Sequence, residues 1–266
     1  MLPEIAFAVG GTRVVLATHG LAVVAGVLAG AAVLGLRAPR RGPALLVAAL
    51  IAVAVLAGAH ALFWVVHGGP WGFWSGGLSS MGGVALGFLA AAGVAWLLGE
   101  PLAALLDALV PAALLGLGIG RIGCFLGGCC MGRPTDLPWG VVFPELGPPP
   151  RHPLQLYSAA ADLGLVGMLL ALEGPPGAVA RLGCLGFGLV RAALDALRDP
   201  AAYDPLPGGL LTLAQAAGLA LALGALVVGR PCALGGLRLR LGRPRAARAS
   251  SDGGSTAWPM TRRSRT

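Results

Sequence analysis

The sequence is organised around Gly118-Ile119-Gly120-Arg121-Ile122-Gly123-Cys124-Phe125-Leu126-Gly127-Gly128-Cys129-Cys130-Met131-Gly132. This segment follows a long apolar run and precedes a proline-rich stretch, residues 134–150. Its glycines predict a loop whose backbone a ligand can approach closely. The segment also holds one fixed cation, Arg121, and three of the chain's five cysteines. It therefore predicts a site at the end of an apolar segment.

The composition indicates a protein that crosses a membrane several times. Of the 266 residues, 56% are hydrophobic and 11% are charged, and the mean hydropathy is +0.81. Soluble domains are about 25% charged, so this chain has too few polar groups to cover a water-exposed surface. The net charge is +8, but most of the arginines lie in loops and in the tail, where membrane topology explains them. We therefore expect no nucleic-acid partner.

Seven apolar runs are each long enough, at about 20 residues, to cross the hydrocarbon core of a bilayer. They predict an all-α polytopic membrane protein with about seven transmembrane helices and a small loop region on the outer face. The predicted spans are Val14–Leu36, Ala44–Val66, Leu78–Leu98, Leu102–Ile119, Leu154–Leu172, Ala178–Leu197 and Leu210–Val228. They form a predicted membrane domain, residues 1–230, followed by a basic, disordered cytoplasmic tail, residues 231–266.

The distribution of arginines predicts the orientation. Three arginines, Arg37, Arg40 and Arg41, follow the first span, and nine follow the seventh, of which Arg230 is the first and eight lie in the tail. The positive-inside rule places both segments in the cytoplasm, with the N-terminus outside. This orientation places residues 67–83, 118–157 and 191–207 in or beside loops on the outer face, where we expect the functional site.

Two arginines in or beside apolar runs are candidate functional residues, because a charge within a membrane is costly. Arg121 lies at the outer end of the fourth span. Arg191 lies in the sixth, and Asp195 follows four residues later on the same helical face. This pair could serve only to hold helices together. Two separated arginines beside a glycine-rich segment could instead clamp a phosphate, because guanidinium groups match phosphate oxygens.

The segment Arg151-His152-Pro153-Leu154-Gln155-Leu156-Tyr157 opens the fifth span. It is either a helix start with polar anchors at the membrane interface or a second set of basic and hydrogen-bonding residues on the water-exposed outer face. His19 is a lone histidine in the first span and is more typical of a packing residue than of a ligand. The small residues of segment 76–83 would let another helix or a lipid approach closely.

The cysteines of the central segment leave four interpretations open. Cys124, Cys129 and Cys130 could bind a soft metal, form a disulfide on an oxidising face, provide a reactive thiol, or serve only as small packing residues. Their spacing matches no standard zinc pattern, and no histidine lies nearby in sequence. We therefore expect no metal ligands and no cofactor.

Several motifs, in order, resemble the prolipoprotein diacylglyceryl transferase family over roughly residues 12–228. Gly120-Arg121-Ile122-Gly123-x-Phe125, followed by Gly132-Arg133, resembles the signature of that family. The remaining motifs, in chain order, are Gly76-Gly77-Leu78-Ser79 with Gly82-Gly83, Trp139 to Pro144, Arg151 to Tyr157, and Arg191 with Asp195 and Arg198-Asp199-Pro200.

The resemblance implies a multi-pass enzyme of the bacterial inner membrane. Such an enzyme moves diacylglyceryl from phosphatidylglycerol to the lipobox cysteine of a preprolipoprotein, near its signal peptide, and glycerol phosphate leaves. The thiol nucleophile comes from the substrate. The resemblance implies catalytic roles for Arg121, Arg191 and Asp195. The implied substrate-binding residues are His19, Gly132, Arg151, His152, Gln155, Tyr157 and Arg198.

Some positions depart from the family pattern. Met81 stands where the family usually has histidine, Cys124 and Cys129 stand at the usual Asn and Glu positions, and Asp195 replaces the usual glutamate. The chain therefore keeps the arginines of the family pattern, while several residues that could act as acid or base are replaced. The alternative is a membrane protein of the same fold that binds phospholipid or does thiol or metal chemistry through Cys124, Cys129 and Cys130.

Overall fold

The computed structural model describes residues 1–9, 12–37, 44–67, 79–199, 210–227 and 236–239. Within these residues the protein is mostly helical, with three small antiparallel sheets. The helices are α1 (Thr18–Arg37), α2 (Ala44–His67), α3 (Ser80–Leu98), α4 (Leu102–Leu126), α5 (Leu154–Leu170), α6 (Ala178–Asp195) and α7 (Leu213–Val227). The strands pair as β1 (Glu4–Val9) with β2 (Thr12–Ala17), β3 (Val141–Phe143) with β4 (Gly147–Arg151), and β5 (Leu172–Glu173) with β6 (Arg238–Leu239).

Each described helix corresponds to one predicted span, and the four helices α1 to α4 are long and apolar enough to cross a membrane. Helices α5 and α7 are apolar but shorter. Helix α6 carries two arginines and one aspartate among its 18 residues. Many large apolar side chains on the outer faces are exposed, including Leu28, Val53 and Leu89. Such surfaces are unfavourable in water and suit a lipid environment.

The predicted start of the first span is wrong by four residues, because residues Thr12–Ala17 form strand β2 and the helix begins at Thr18. In this strand Val14 and Val15 pair with residues of β1. Valine is β-branched, so it favours an extended backbone. The first β-hairpin therefore takes the residues that hydropathy alone assigns to the membrane span.

The predicted end of the fourth span is also wrong, because α4 continues from Ile119 to Leu126. The first half of the predicted glycine and cysteine loop is therefore helical. Each glycine costs a helix about 1 kcal/mol relative to alanine, but packing overrides this preference here. A Cβ atom added to Gly123 would lie 2.4 Å from the Cβ atom of Ala22 in α1, so glycine lets the two helices touch.

Glycines also sit at other close helix crossings. A Cβ atom on Gly82 of α3 would lie 2.1 Å from the carbonyl oxygen of Gly58 in α2. This contact confirms that small residues in segment 76–83 let a second helix approach. In the same way, a Cβ atom on Gly188 of α6 would lie 2.4 Å from the carbonyl oxygen of Gly218 in α7.

Polar side chains tie helix ends together at the end of the bundle opposite the central segment. Arg37, the last residue of α1, donates to the carbonyl oxygen of Leu170 over 2.9 Å. Asp107 of α4 accepts hydrogen bonds from the amides of Gly177 and Ala180, each over 2.7 Å. The C-terminal ends of α1 and α5 therefore lie beside the N-terminal ends of α4 and α6. Helices α1 and α5 therefore run in the opposite direction to α4 and α6, as the predicted order of the spans requires.

The predicted tail and loops are only partly described. Arg238 and Leu239 of the tail pair with β5. The other tail residues lie outside the described residues, apart from Gly236 and Leu237. Residues 68–78 and 200–207 of the predicted active-site loops also lie outside them.

Candidate functional site

A small cleft between α4, α5 and α6 brings together the two predicted catalytic arginines. Its polar lining consists of Arg121, Ser158, Asp162 and Arg191, and its apolar lining consists of Phe187, Val190 and Leu194. Arg121 lies near the end of α4. Its guanidinium group makes no hydrogen bond or ion pair with any described residue. It is therefore a half-buried cation available to a ligand.

Arg191 is held from one side only. The residue is 8% exposed, and its Nη2 atom lies 3.3 Å from the Oδ1 atom of Asp195. Its buried Nε atom has no hydrogen-bond partner among the described residues. The positive charges of Arg121 and Arg191 repel each other, so an anion between them would relieve this repulsion.

Asp195 is the anchor of the arginine cluster. It is 1% exposed, and its Oδ1 atom also lies 3.4 Å from Nη1 of Arg198. The hydroxyl of Thr212 donates to its Oδ2 atom. A carboxylate this deeply buried needs such partners to remain charged. The predicted Arg191–Asp195 contact is therefore present, and it belongs to a larger cluster that also holds Arg198.

Asp162 is a site residue that sequence analysis missed. It lies in α5 and is 3% exposed. The positive charges of Arg121 and Arg191 act on its carboxyl group. The sequence did contain the signal, because an acidic residue inside a predicted span is a functional candidate by default.

Gly132 positions the segment that follows the cysteines. Its amide donates to the carbonyl oxygen of His152 over 2.9 Å, and the next amide, of Arg133, donates to the carbonyl oxygen of Leu197 over 2.9 Å. A Cβ atom on Gly132 would lie 2.7 Å from the Cβ atom of His152. Only glycine fits there. This predicted binding residue therefore joins the segments before α5 and after α6.

Two further predicted binding residues, Arg151 and Gln155, make separate contacts. Arg151 forms an ion pair with Asp199. Gln155 is 1% exposed and donates to the carbonyl oxygen of Cys129. Arg151 is therefore paired with a side chain and Gln155 with a backbone carbonyl, and neither belongs to the residues that line the cleft.

His152 and Tyr157 belong to a short hydrogen-bonded chain. The indole Nε1 of Trp139 donates to the hydroxyl of Tyr157 over 2.7 Å, and this hydroxyl lies 3.4 Å from Nδ1 of His152. Burial lowers the pKa of His152, and the charge of Arg133 acts in the same direction. A neutral His152 can accept the Tyr157 hydroxyl proton at Nδ1.

The three cysteines of the central segment converge in space. The Sγ atoms of Cys124, Cys129 and Cys130 all lie within 4.8 Å of one another, and none of the three forms a disulfide. His19, far away in sequence, places its Nδ1 atom 3.7 Å from the Sγ atom of Cys124. The predicted binding residue His19 therefore lies beside these cysteines.

The thiols next to the helix end differ in acidity. Hydrogen bonds from the Cys124 and Cys129 thiols lower the pKa of Cys130, and the charges of Arg121 and Arg198 act in the same direction. The pKa of Cys129 is raised, first by its hydrogen bond to Cys124. Of Cys129 and Cys130, Cys130 is therefore the more acidic thiol.

Met81, at the position where the family usually has histidine, packs against apolar core residues.

The fold and the site define a helical membrane protein with a cationic cleft among its helices. The family model described as prolipoprotein diacylglyceryl transferase matches residues 4–229. The chain belongs to this family.

Curated relatives carry a name consistent with the family. The chain is 38% identical over 144 residues to the phosphatidylglycerol–prolipoprotein diacylglyceryl transferase of Shewanella sp. (strain ANA-3), covering 53% of this chain and 54% of the relative. It is 35% identical over 173 residues to the Vibrio vulnificus (strain YJ016) protein of that name, covering 62% and 59%. The chain thus spans about half the length of the curated relatives it matches.

Proposed function

We propose that this protein transfers the diacylglyceryl group of phosphatidylglycerol to the lipobox cysteine thiol of a preprolipoprotein. Membership of the family and the names of the curated relatives support this proposal. The observation that carries it is that Arg121 and Arg191 line one cleft. Among the residues that the structure describes, Arg121 makes no hydrogen bond or ion pair, and the buried Nε atom of Arg191 has no hydrogen-bond partner.

The chemistry of the reaction suits this pair. The substrate sulfur attacks the glyceryl carbon, the bond from that carbon to the phosphate oxygen breaks, and glycerol phosphate leaves with the electron pair. Negative charge grows on the leaving phosphate as the bond breaks. Arg121 and Arg191 would bind the phosphate and stabilise that charge, and removing one such group typically costs 10²–10³ in rate, about 3–4 kcal/mol.

Other residues would hold this pair and the substrates in place. Asp195 fixes Arg191 and Arg198, and the hydrogen-bonded side chains of His152 and Tyr157 would contact the substrate head group. The apolar outer faces of the helices would hold the acyl chains. No step of this proposal requires a cysteine of the protein as the nucleophile.

The proposal includes the topology. All seven helices would cross the bacterial inner membrane, with the cleft at the outer leaflet, the N-terminus outside and the C-terminus in the cytoplasm. Arg37 lies at the end of the bundle opposite the cleft, as the positive-inside rule requires. Residues 1–230 would form the membrane domain, and segments 67–83, 118–157 and 191–207 its active-site loops.

A transfer assay tests the proposal directly. Membranes that contain this protein as the only candidate transferase receive phosphatidylglycerol labelled in its acyl chains and a lipobox peptide with a free cysteine. We expect label on this peptide and none on the matched peptide with serine in place of cysteine. Arg121→Ala should lower the transfer rate by about 10²–10³. Arg238→Ala is the matched control, because Arg238 is exposed at the opposite end of the helices.

A folded protein that transfers no label beside a working control enzyme would contradict the proposal. Equal transfer by wild type and Arg121→Ala would contradict the role of the arginine pair while leaving the activity in place.

A further inference from the structure

The thiols of Cys124, Cys129 and Cys130 are brought together by the backbone. Cys124 lies in the last turn of α4, and Gly128, with φ of 72°, turns the chain back. The amide of Cys129 then donates to the carbonyl oxygen of Cys124 over 3.1 Å, and Gln155 binds the carbonyl oxygen of Cys129. The turn and these hydrogen bonds therefore hold the three thiols close together.

The separation of the sulfur atoms suits a thiophilic metal ion. In a tetrahedral zinc site with Zn–S bonds of about 2.3 Å, two sulfur ligands lie about 3.8 Å apart. The three Sγ atoms here lie within 4.8 Å of one another, so small side-chain rotations would bring them to ligand distances. Thiolates are also the ligands that select zinc and other soft ions over magnesium or calcium.

The charges around the cluster favour a metal–thiolate group. A divalent ion with three thiolates carries a net charge of −1. Cys130 lies close enough to Arg121, Arg191 and Arg198 for their charges to act on it. A negative group in a membrane-embedded site is costly unless it is paired, and these guanidinium groups would offset that cost.

The backbone of Cys130 carries the strain that functional sites often show. Its φ angle of 61° makes it a non-glycine residue in the left-handed region. This conformation costs on the order of 1–3 kcal/mol. The Cys130 thiol lies beside those of Cys124 and Cys129, so the cost is offset if the three thiols act together.

The cluster is open on one side. Cys124 is buried, Cys130 is half-buried and Cys129 is exposed. Zinc sites with three protein ligands and an accessible fourth position are typical of catalysis, whereas structural sites are closed by four protein ligands.

We infer that Cys124, Cys129 and Cys130 bind one thiophilic divalent ion, Zn²⁺ by preference, and that its fourth position takes the cysteine thiol of the substrate protein. This inference rests on the proposed function and supplies the activated nucleophile that it needs.

The step is balanced in atoms and charge. The substrate thiol loses its proton to solvent when it binds, because a metal-coordinated thiol is deprotonated. Its sulfur then attacks the glyceryl carbon, the carbon–oxygen bond to phosphate breaks, and glycerol phosphate leaves with the electron pair next to Arg121 and Arg191. The thioether product is a weaker ligand and dissociates from the ion.

Metal content is the first test. The full chain in detergent is reduced, dialysed against ZnCl₂ and freed of excess ion, and zinc per chain is measured by mass spectrometry. We expect one zinc ion per chain. Cys124→Ser and Cys130→Ser should each weaken zinc binding by more than about tenfold in competition with a chelator. Cys184→Ser is the matched control, because Cys184 packs in α6 against the apolar core.

Cobalt substitution tests the fourth position without relying on turnover. Co²⁺ bound by thiolates absorbs in the near ultraviolet, and this absorption intensifies when another thiolate binds. Adding the lipobox cysteine peptide should strengthen the absorption, and the serine peptide should leave it unchanged. His19→Ala should retain the metal, since His19 contacts Cys124 but is not needed as a ligand.

Different results would overturn the metal-binding inference and the proposed transferase function. Absence of bound metal in the reduced wild-type protein, or equal zinc loss in Cys184→Ser, would overturn the inference, as would loss of metal in His19→Ala. Transfer activity in metal-free protein would also overturn it while the proposed function stands. Zinc and thiol binding without transfer of label would instead refute the proposed function.

Discussion

The Nη2 atom of Arg191 lies 3.3 Å from the Oδ1 atom of Asp195, one helical turn away in α6. Both residues are buried, and the same carboxylate contacts Arg198 and accepts a hydrogen bond from Thr212. One acidic side chain therefore holds two arginines and joins α6 to the start of α7.

Removing the Asp195 carboxylate should destabilise the protein. In Asp195→Ala, Arg191 would be left buried without its ion-pair partner, and breaking a buried pair in this way costs about 3–5 kcal/mol. Thermal unfolding in detergent measures the effect. Asp136→Ala is the control, since Asp136 is exposed and surface changes are usually within about 0.5 kcal/mol. Equal melting temperatures for the two variants would show that Asp195 does not anchor the cluster.

Arg121 should matter much more for activity than for stability, because its guanidinium makes no hydrogen bond or ion pair with a described residue. Its attraction to Asp162 is also opposed by its repulsion from Arg191. If the proposed function holds, Arg121→Ala should lower the transfer rate by about 10²–10³. Arg121→Lys should recover part of it, since lysine keeps the charge but not the planar fork. A melting temperature well below that of wild type would instead indicate a structural role.

Burial and the two arginines of the cleft act on the Asp162 carboxyl group in opposite senses. Burial disfavours the charged carboxylate more strongly than the charges of Arg121 and Arg191 favour it. Asp162→Asn should therefore leave the melting temperature unchanged or raise it, at roughly 2–4 °C per kcal/mol for a chain of this size. Added phosphate should stabilise this variant more than wild type, because no carboxylate then competes for the two arginines. A clear fall in melting temperature would mean that attraction to the arginines outweighs the burial cost of the carboxylate.

Two glycines of α7 provide a matched test of helix packing. A Cβ atom on Gly218 would lie 2.7 Å from the carbonyl oxygen of Gly188, whereas a Cβ atom on Gly224 would meet nothing within 4 Å. Gly218→Ala should therefore destabilise the protein by about 1–3 kcal/mol through overpacking. Gly224→Ala should be neutral or stabilising by up to about 1 kcal/mol. Thermal unfolding of the two variants measures this difference. A higher melting temperature for Gly218→Ala than for Gly224→Ala would contradict the α6–α7 packing.

His152 should make stability depend on pH. Its pKa in the folded protein is lowered from 6.5 by burial and by Arg133, so the unfolded chain takes up this proton more readily. Stability should therefore fall as the pH is lowered from 6.5 towards the pKa of the folded state. The wild type is compared with His152→Asn, whose side-chain oxygen can still accept from Tyr157. The variant should lose the part of the pH dependence that comes from His152. Identical plots of stability against pH for the two proteins would exclude His152 as its source.

Much of the fold could be predicted from hydropathy. Each predicted span contains a described helix, because a run of about 20 apolar residues is stable in lipid only when its backbone hydrogen bonds are satisfied internally. The errors lie at Val14 and Ile119, where pairing with β1 and contact between Gly123 and Ala22 override local preferences. Arg121, Arg191 and Asp195 were predictable for the same reason, since charges are rare in such runs.

The sequence by itself determined which segments are apolar enough for a membrane and which charged residues are too costly to be there without a role. Only the tertiary structure brought Asp162 to the two arginines, His19 to Cys124 and the three thiols to one another. The physical reason is that hydropathy is a property of each segment. The distance between side chains on different helices depends instead on helix crossings and on turns such as those at Gly128 and Cys130.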